Sequence, residues 1–359
     1  MKYLKRFNEN VSEKDIDVYR MSLYPDKGKK RGSDEMIDNI GKKLKSLNAK
    51  SISYELKSND DVLVDFTIDE EKYTAKYNHT GTCENIKKNK WNKKPLNLIL
   101  FGHFNELKME TIDQLKRKYK SKICMWYEDA LSNIARGPDW KSNLNLIEKN
   151  HDLIDKYYLT THPDVVKTEI DRKKLNYLPI PADSSVEFLE LYKNKIKIND
   201  LFFAFSHGVN YGKLRKNNTD ERIFFLEKIK KILKDRILIL GKDYSEPKWN
   251  FDYYDELSKS KTALNLSRGA PVKYTSSNRI ASLIANGIYT FVDEKTQLYD
   301  FFNDDEVGFY KNEDDLIIKL EKILSNEKKL KKFSENGKKK YFQLFDNKII
   351  TKNIILNSF

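Results

Sequence analysis

Two stretches of this chain bring cations, hydroxyls and glycines together in a way suited to holding an anion. The first is Ser206-His207-Gly208-Val209-Asn210-Tyr211-Gly212-Lys213-Leu214-Arg215, with Arg222 close behind. Its two glycines let backbone N–H groups approach an anion closely. Lys213, Arg215 and Arg222 can neutralise a departing phosphate, which is electrostatic help that needs no metal. An ordinary basic surface loop is the other reading of the same residues. The second stretch runs from Thr262 to Asp293 and carries Arg268, Gly269, Lys273, Tyr274, Ser276, Ser277 and Arg279. Ser276 or Ser277 could cap a helix whose N–H groups face phosphate, and Arg279 could bond sugar or phosphate. Alternatively the serines only cap, and Arg279 only pairs with a carboxylate. Lys242, Asp243 and Tyr244 follow the Leu240-Gly241 strand end.

These residues need elements to place them. The apolar run Ala263 to Leu266 predicts a buried strand, and Ile280, Leu283 and Ile284 recur at helical spacing up to the stop at Asn286-Gly287. Ile288 to Val292 predicts the next strand, ending at Asp293. Strand, cationic loop, helix, strand is the unit that seats a phosphate at a helix N-terminus. Strands over Leu201–Phe205 and Arg236–Leu240, with helices over Asp220–Leu233 and Tyr253–Ser258, lead into it. A short strand at Val307–Tyr310 and helices at Asp314–Leu324, Lys328–Tyr341 and Asn347–Leu356 follow.

Further toward the N-terminus, helices are expected at Met36–Leu47, Met109–Tyr119, Leu144–Leu153 and Asp164–Ile170. Strands are expected at Ser51–Leu56, Val62–Ile68, Leu96–Phe101, Ile123–Trp126 and Tyr157–Thr160. Such alternation predicts parallel sheets flanked by helices. Residues 1–95 are the least regular part and show no clean first strand of a parallel sheet. The prolines of Tyr177-Leu178-Pro179-Ile180-Pro181-Ala182-Asp183 favour extended backbone and read as a linker.

The segment after Thr262 resembles the C-terminal half of nucleotide-sugar glycosyltransferases with two Rossmann domains (GT-B), in particular the CgeB-like, "glycosyl transferases group 1" relatives. Those proteins carry strand, loop, Arg-x-x-Glu-Ala-x-Ala-x-Gly, strand, Asp. Arg279, Ala285 and Gly287 fall on that pattern, whereas Ser282 stands at the glutamate that in the wider group holds the donor ribose. The resemblance covers roughly residues 96–345 and is clearest over 200–293. It implies an α/β fold of two Rossmann-like domains facing across a cleft. Residues 1–182 would bind the acceptor, 183–345 the nucleotide-sugar, and a helix over 346–359 would cross back to the first domain. The donor would lie between the 206–215 and 268–279 loops, with Lys242 and Tyr244 at the base. Domain closure would exclude water and align the reactants.

A catalytic base, if the reaction needs one, is expected in the first half. Met125-Trp126-Tyr127-Glu128-Asp129 ends a strand with two carboxylates, and strand ends of open α/β sheets face the ligand crevice. Glu128 or Asp129 could accept the acceptor hydroxyl's proton; a helix N-cap accounts for Asp129 equally well. His103 sits at another strand end and could touch the sugar or act as base, or be structural. His151 and His162 read as loop and packing residues. No metal-site spacing occurs, no Asp-x-Asp follows an expected strand, and no Gly-x-Gly-x-x-Gly is present. The expected cofactor list is therefore empty, with the nucleotide-sugar as co-substrate.

The 359 residues suit two domains, and the formal charge of +13 favours anionic partners. Lysine- and asparagine-rich composition explains that charge as well as function does. With no arginine stripe, a sequence-specific DNA reader is not expected. No run is long enough to span a membrane, the N-terminus lacks an apolar leader, and only Cys83 and Cys124 are present. A cytoplasmic protein is expected. Its acceptor would be a glycan or a lipid-linked molecule, with contact to an anionic inner membrane face and a setting in surface polysaccharide, lipopolysaccharide or glycolipid assembly. The alternatives are a non-catalytic nucleotide- or sugar-binding protein and a nucleic-acid-modifying glycosyltransferase.

Overall fold

The computed structural model describes residues 18–20, 51–56, 62–68, 71–77, 83–85, 98–102 and most of 112–359. Within the last span, 115, 118–119, 129–130, 132–139, 150, 185, 206–221, 242–243, 249, 268–269 and 276 lie outside the described residues. The chain divides into two compact units. The first comprises Met1–Trp126, Asn150–Tyr157 and Ile355–Phe359; the second comprises Tyr127–Lys149 and Tyr158–Ile354.

In the first unit, β1 (Val18–Arg20) is followed by β2 (Ser51–Leu56), β3 (Val62–Ile68), β4 (Glu71–Tyr77) and β5 (Cys83–Asn85). Strands β2 to β5 form a four-stranded antiparallel meander, with Ser51 opposite Thr67 and Ile68 opposite Glu71. The expected strands at 51–56 and 62–68 are present, but they belong to an antiparallel sheet rather than to strand–helix alternation. Only two residues separate Ile68 from Glu71, too few for the crossover that parallel pairing needs. β6 (Leu98–Gly102) and β7 (Lys122–Tyr127) continue the chain, and β1, β6 and β7 pair in parallel. Leu98, Ile123, Cys124 and Met125 are fully buried there. β1 is thus a parallel neighbour in the irregular 1–95 region, too short at three residues to announce itself.

Next come α1 (Trp140–Lys149), β8 (Lys156–Leu159) and β9 (Leu175–Tyr177), and β8 and β9 extend this sheet in the order β1-β6-β7-β8-β9. The helix expected over Asp164–Ile170 is instead one 3-10 turn, Pro163–Val165, with extended chain after it. Arg172 donates to the carbonyls of Pro163 and Val166. Those acceptors are therefore satisfied without a helix, and the β-branched pair Val165-Val166 disfavours one.

The second sheet is built from β10 (Asn199–Ala204), α2 (Arg222–Leu233), β11 (Ile237–Leu240), α3 (Asn250–Ser258), β12 (Ser260–Asn265), α4 (Arg279–Ile284), β13 (Tyr289–Asp293) and β14 (Gly308–Tyr310). α5 (Glu313–Leu324), α6 (Glu327–Phe345) and α7 (Asn347–Ser358) close the chain. All five strands are parallel, in the order β11-β10-β12-β13-β14. Side chains alternate along β10. Leu201, Phe203 and Phe205 pack with Leu226, Ile229 and Leu233 of α2 and Leu316 and Leu320 of α5. Phe202 packs oppositely, with Leu257 of α3 and Leu283 of α4. Helices therefore cover both faces, the doubly wound α/β arrangement.

Candidate functional site

Strand order decides where a ligand can sit on the second sheet. β10 leads through α2 to β11 on one side, and β12 leads through α4 to β13 on the other. The chain reverses its direction of build between β10 and β12. In open α/β sheets that switch point leaves a crevice outside the carboxyl ends of the strands. β10 ends at Ala204 and β12 at Asn265, each shortly before one of the two basic stretches singled out from the sequence.

Two arginines are seated at this edge by aromatic rings. The Arg279 guanidinium lies 4.8 Å from the Phe203 ring centroid, and that of Arg222 lies 5.0 Å from the Phe205 centroid. Phe203 and Phe205 stack on each other at 5.4 Å. They share a face because residues two apart on a strand do. Each arginine also begins a helix, Arg222 that of α2 and Arg279 that of α4. Cation–π contacts of this kind contribute about 0.5–2 kcal/mol, more when desolvated, and Arg222 is buried.

A chain of polar contacts ties Arg279 to β12. Its Nη1 donates to Ser277 Oγ at 3.1 Å and to Leu266 O at 3.3 Å. Ser277 Oγ donates in turn to Asn265 Oδ1 at 3.1 Å. Asn278, the N-cap residue of α4, makes no side-chain capping bond. Ser282 stands one turn into α4, donates to Arg279 O at 2.9 Å and lies 3.5 Å from the Tyr253 hydroxyl of α3. Tyr244 extends the aromatic row. Its ring is 6.0 Å from that of Phe205, and Lys230 Nζ sits 4.9 Å from its centroid. Gly241 admits this packing, since a Cβ there would meet the Phe205 ring at 2.6 Å.

Tyr274 has a different environment. It is a non-glycine residue in the left-handed region, with φ of 58°. Its N–H donates to Thr296 O at 2.7 Å, its hydroxyl to Asp300 Oδ2 at 2.6 Å, and its carbonyl accepts from the Tyr177 hydroxyl at 3.0 Å. Rings of His162, Phe301 and Tyr177 surround it at 4.9, 4.7 and 5.2 Å. Lys273 pairs with Asp164 at 2.9 Å. His162 is buried, and its Nδ1 accepts from the Asp164 N–H at 3.2 Å. Burial first, then Lys273, holds its pKa below the ordinary imidazole value.

Of the expected catalytic residues, Glu128 is exposed at the end of β7, and its carbonyl accepts from Thr160 Oγ1 at 2.7 Å. Asp129 and His103 lie outside the described residues, as do Ser206, His207, Gly208, Lys213, Arg215, Lys242, Arg268 and Ser276. Arg222, Ser277 and Arg279 come together at the switch-point edge, with Tyr244 joined to them through Phe205. Tyr274 faces the His162 cluster. Phe203, Phe205 and Tyr253 stand at this edge without having been singled out among the candidate residues. The two-residue spacing of Phe203 and Phe205 within an expected strand was the available sign that two rings share one face. Among the described residues, no group of three or more His, Cys, Asp or Glu could hold a metal ion, and no helix is long and apolar enough to cross a membrane.

Residues 216–354 match a family model described as glycosyl transferase-like. The match includes Arg222, Ser277 and Arg279. No curated protein matches the chain. Among solved structures, the chain is similar to a sucrose-phosphate synthase from Thermosynechococcus elongatus, at 12% identity and TM-score 0.49, over 74% of this chain and 73% of that one. It is similar to Anabaena Alr3699/HepE, solved with UDP and glucose, at 10% identity and TM-score 0.48, over 72% and 77%. It is also similar to TarM of S. aureus, at 10% identity and TM-score 0.46, over 91% and 82%.

Proposed function

We propose that this protein transfers a sugar from a nucleotide-sugar to an acceptor hydroxyl, with the donor diphosphate bound at the β10/β12 switch point. One observation carries the reading: Arg222 and Arg279, both within the glycosyl transferase-like segment, are held on the stacked Phe203–Phe205 pair where that sheet's crevice opens. Two positive charges held in place lower the cost of charge building on a leaving diphosphate, and this supports a chemical step without a metal. The 206–215 loop and Arg268 and Ser276 would complete the anion site, and Lys242 and Tyr244 would contact the base. Residues 183–345, which include the second sheet, form the donor half; residues 1–182 form the acceptor half, with Glu128, Asp129 or His103 taking the hydroxyl proton. The +13 charge suits an anionic or lipid-linked acceptor glycan of surface polysaccharide or glycolipid assembly, met at the inner membrane face.

A thermal-shift screen with nucleoside diphosphates and nucleotide-sugars tests this. At a hundredfold excess over Kd a ligand adds about 2.7 kcal/mol of stability, a rise of several degrees. At least one nucleoside diphosphate should stabilise the wild type, and Arg279→Ala and Arg222→Ala should each remove most of that shift. No stabilisation by any of them would sink the donor site. Binding without turnover on any glycan acceptor would favour the non-catalytic alternative, which Ser282 at the ribose-binding glutamate's place motivates. Duplex binding that weakens steeply with salt would favour the nucleic-acid alternative.

A further inference from the structure

We propose that Tyr177 is a positioning residue for the donor-binding loop, acting through the backbone of Tyr274. The inference rests on the donor site proposed above. Tyr177 ends β9, whose chain is anchored one residue later by Leu178 N–H to Leu159 O at 2.8 Å. Its hydroxyl reaches 97 residues along the chain to the Tyr274 carbonyl at 3.0 Å. Burial raises the Tyr177 hydroxyl pKa far above the ordinary phenol value. The group is therefore protonated and a donor at any working pH.

The receiving peptide is the one that needs holding. A bulky side chain at positive φ is uncommon, and such a conformation persists only where its surroundings over-determine it. Here the surroundings do so from several directions. Thr296 O takes the Tyr274 N–H, Asp300 takes its hydroxyl, and Tyr177 supplies a proton to its carbonyl. Thr275 N–H closes a turn onto Val272 O at 3.0 Å. From this turn the chain runs within two residues to Ser277, and within four to Arg279. If Tyr274 relaxed to negative φ, residues 275–279 would leave along another direction. Ser277 would then lose Asn265, and the Arg279 guanidinium would leave the Phe203 ring. Tyr177 is placed to prevent this with a single hydrogen bond, while its ring packs on Tyr274, His162 and Phe301.

Tyr177→Phe removes the hydroxyl and keeps the ring. Tyr158→Phe is the control, because the Tyr158 hydroxyl likewise donates to a backbone carbonyl, that of Ile354 at 2.8 Å, away from the loop. Two readouts are taken on the full chain: amide hydrogen exchange over 272–280, and calorimetric affinity for the nucleoside diphosphate that best stabilises the wild type in a panel of uridine, guanosine, adenosine and thymidine diphosphates. The expected result for Tyr177→Phe is faster exchange over 272–280 and a three- to tenfold loss of affinity, roughly what one buried hydrogen bond can contribute. Tyr158→Phe should lower the melting temperature by a similar amount and leave both readouts unchanged. Wild-type exchange over 272–280 in Tyr177→Phe would overturn the proposal. So would affinity within twofold of wild type, or an equal loss in Tyr158→Phe. If exchange accelerates but no nucleoside diphosphate binds the wild type, the hold on the loop stands and the donor-site reading is what fails.

Discussion

At the scale of the residue, His162 shows how burial overrides sequence proximity. Asp164 lies two positions away, within 3.4 Å, and its charge favours imidazolium. Yet burial, with Lys273 and Arg172 adding to it, depresses the pKa below its ordinary 6.5. The Asp164 N–H bond to Nδ1 agrees, since only an unprotonated nitrogen can accept it. The unfolded chain binds this proton more readily than the folded one. The stability His162 contributes is therefore complete above about pH 6.5 and is lost as pH falls through the folded-state value. Urea unfolding of wild type and His162→Gln between pH 7.5 and 5 checks this. The difference between the two should shrink as the solution is acidified, and a difference independent of pH would contradict it. The arginine substitutions belong to the same scale, because each removes one charge from the switch-point edge and leaves the sheet intact.

At the scale of the element, the short helix α4 depends on how it stops. Gly287 follows it with φ of +80°, and its N–H donates to Ile284 O at 3.0 Å. A Cβ at this position would meet the Tyr192 ring at 2.7 Å. Left-handed backbone costs a non-glycine residue about 1–2 kcal/mol, before any displacement of that ring. Gly287→Ala should accordingly destabilise the protein by about 2 kcal/mol or more, read from the denaturant midpoint at unchanged slope. A loss below about 0.5 kcal/mol would mean the turn has another conformation open to it. The helix itself was readable from Ile280, Leu283 and Ile284, all buried in the structure. Its stop was readable from Asn286-Gly287. The cap was not, because hydroxyls within hydrogen-bonding reach can serve the backbone or a neighbouring side chain, and Ser277 donates to Asn265.

At the scale of the whole molecule, the last helix is shared between the two compact units, with Ile355–Phe359 counted in the first. There Ser358 Oγ accepts from Cys124 Sγ at 3.2 Å. Burial raises the Cys124 thiol pKa to about 11, so it is a poor nucleophile in the folded chain. Removing residues 355–359 in a Cys83→Ser background should expose the thiol and speed its reaction with a disulfide reagent by at least tenfold on the order-of-magnitude scale of thiolate control. Labelling as slow as in the full chain would show that the helix end does not cover this site.

Local pattern alone determined the strands and helices of residues 199–358 to within a few residues, together with the two basic stretches and their place after β10 and β12. Apolar periodicity, helix stops and cationic loops are all properties of neighbours in the chain. The antiparallel meander of β2 to β5 and the three-residue strand β1 were not legible as such, because strand pairing is a long-range relation that short segments do not declare. The same holds at the candidate site. In the sequence, Arg222, Tyr274 and Arg279 stand alike as candidates for the anion site. Only the tertiary structure set the two arginines on one pair of stacked rings and turned Tyr274 toward Tyr177, His162 and Phe301, through contacts between residues as many as 112 positions apart. Which side chain faces a ligand and which holds the loop that presents it depends on packing across the sheet, and packing is decided by the whole fold.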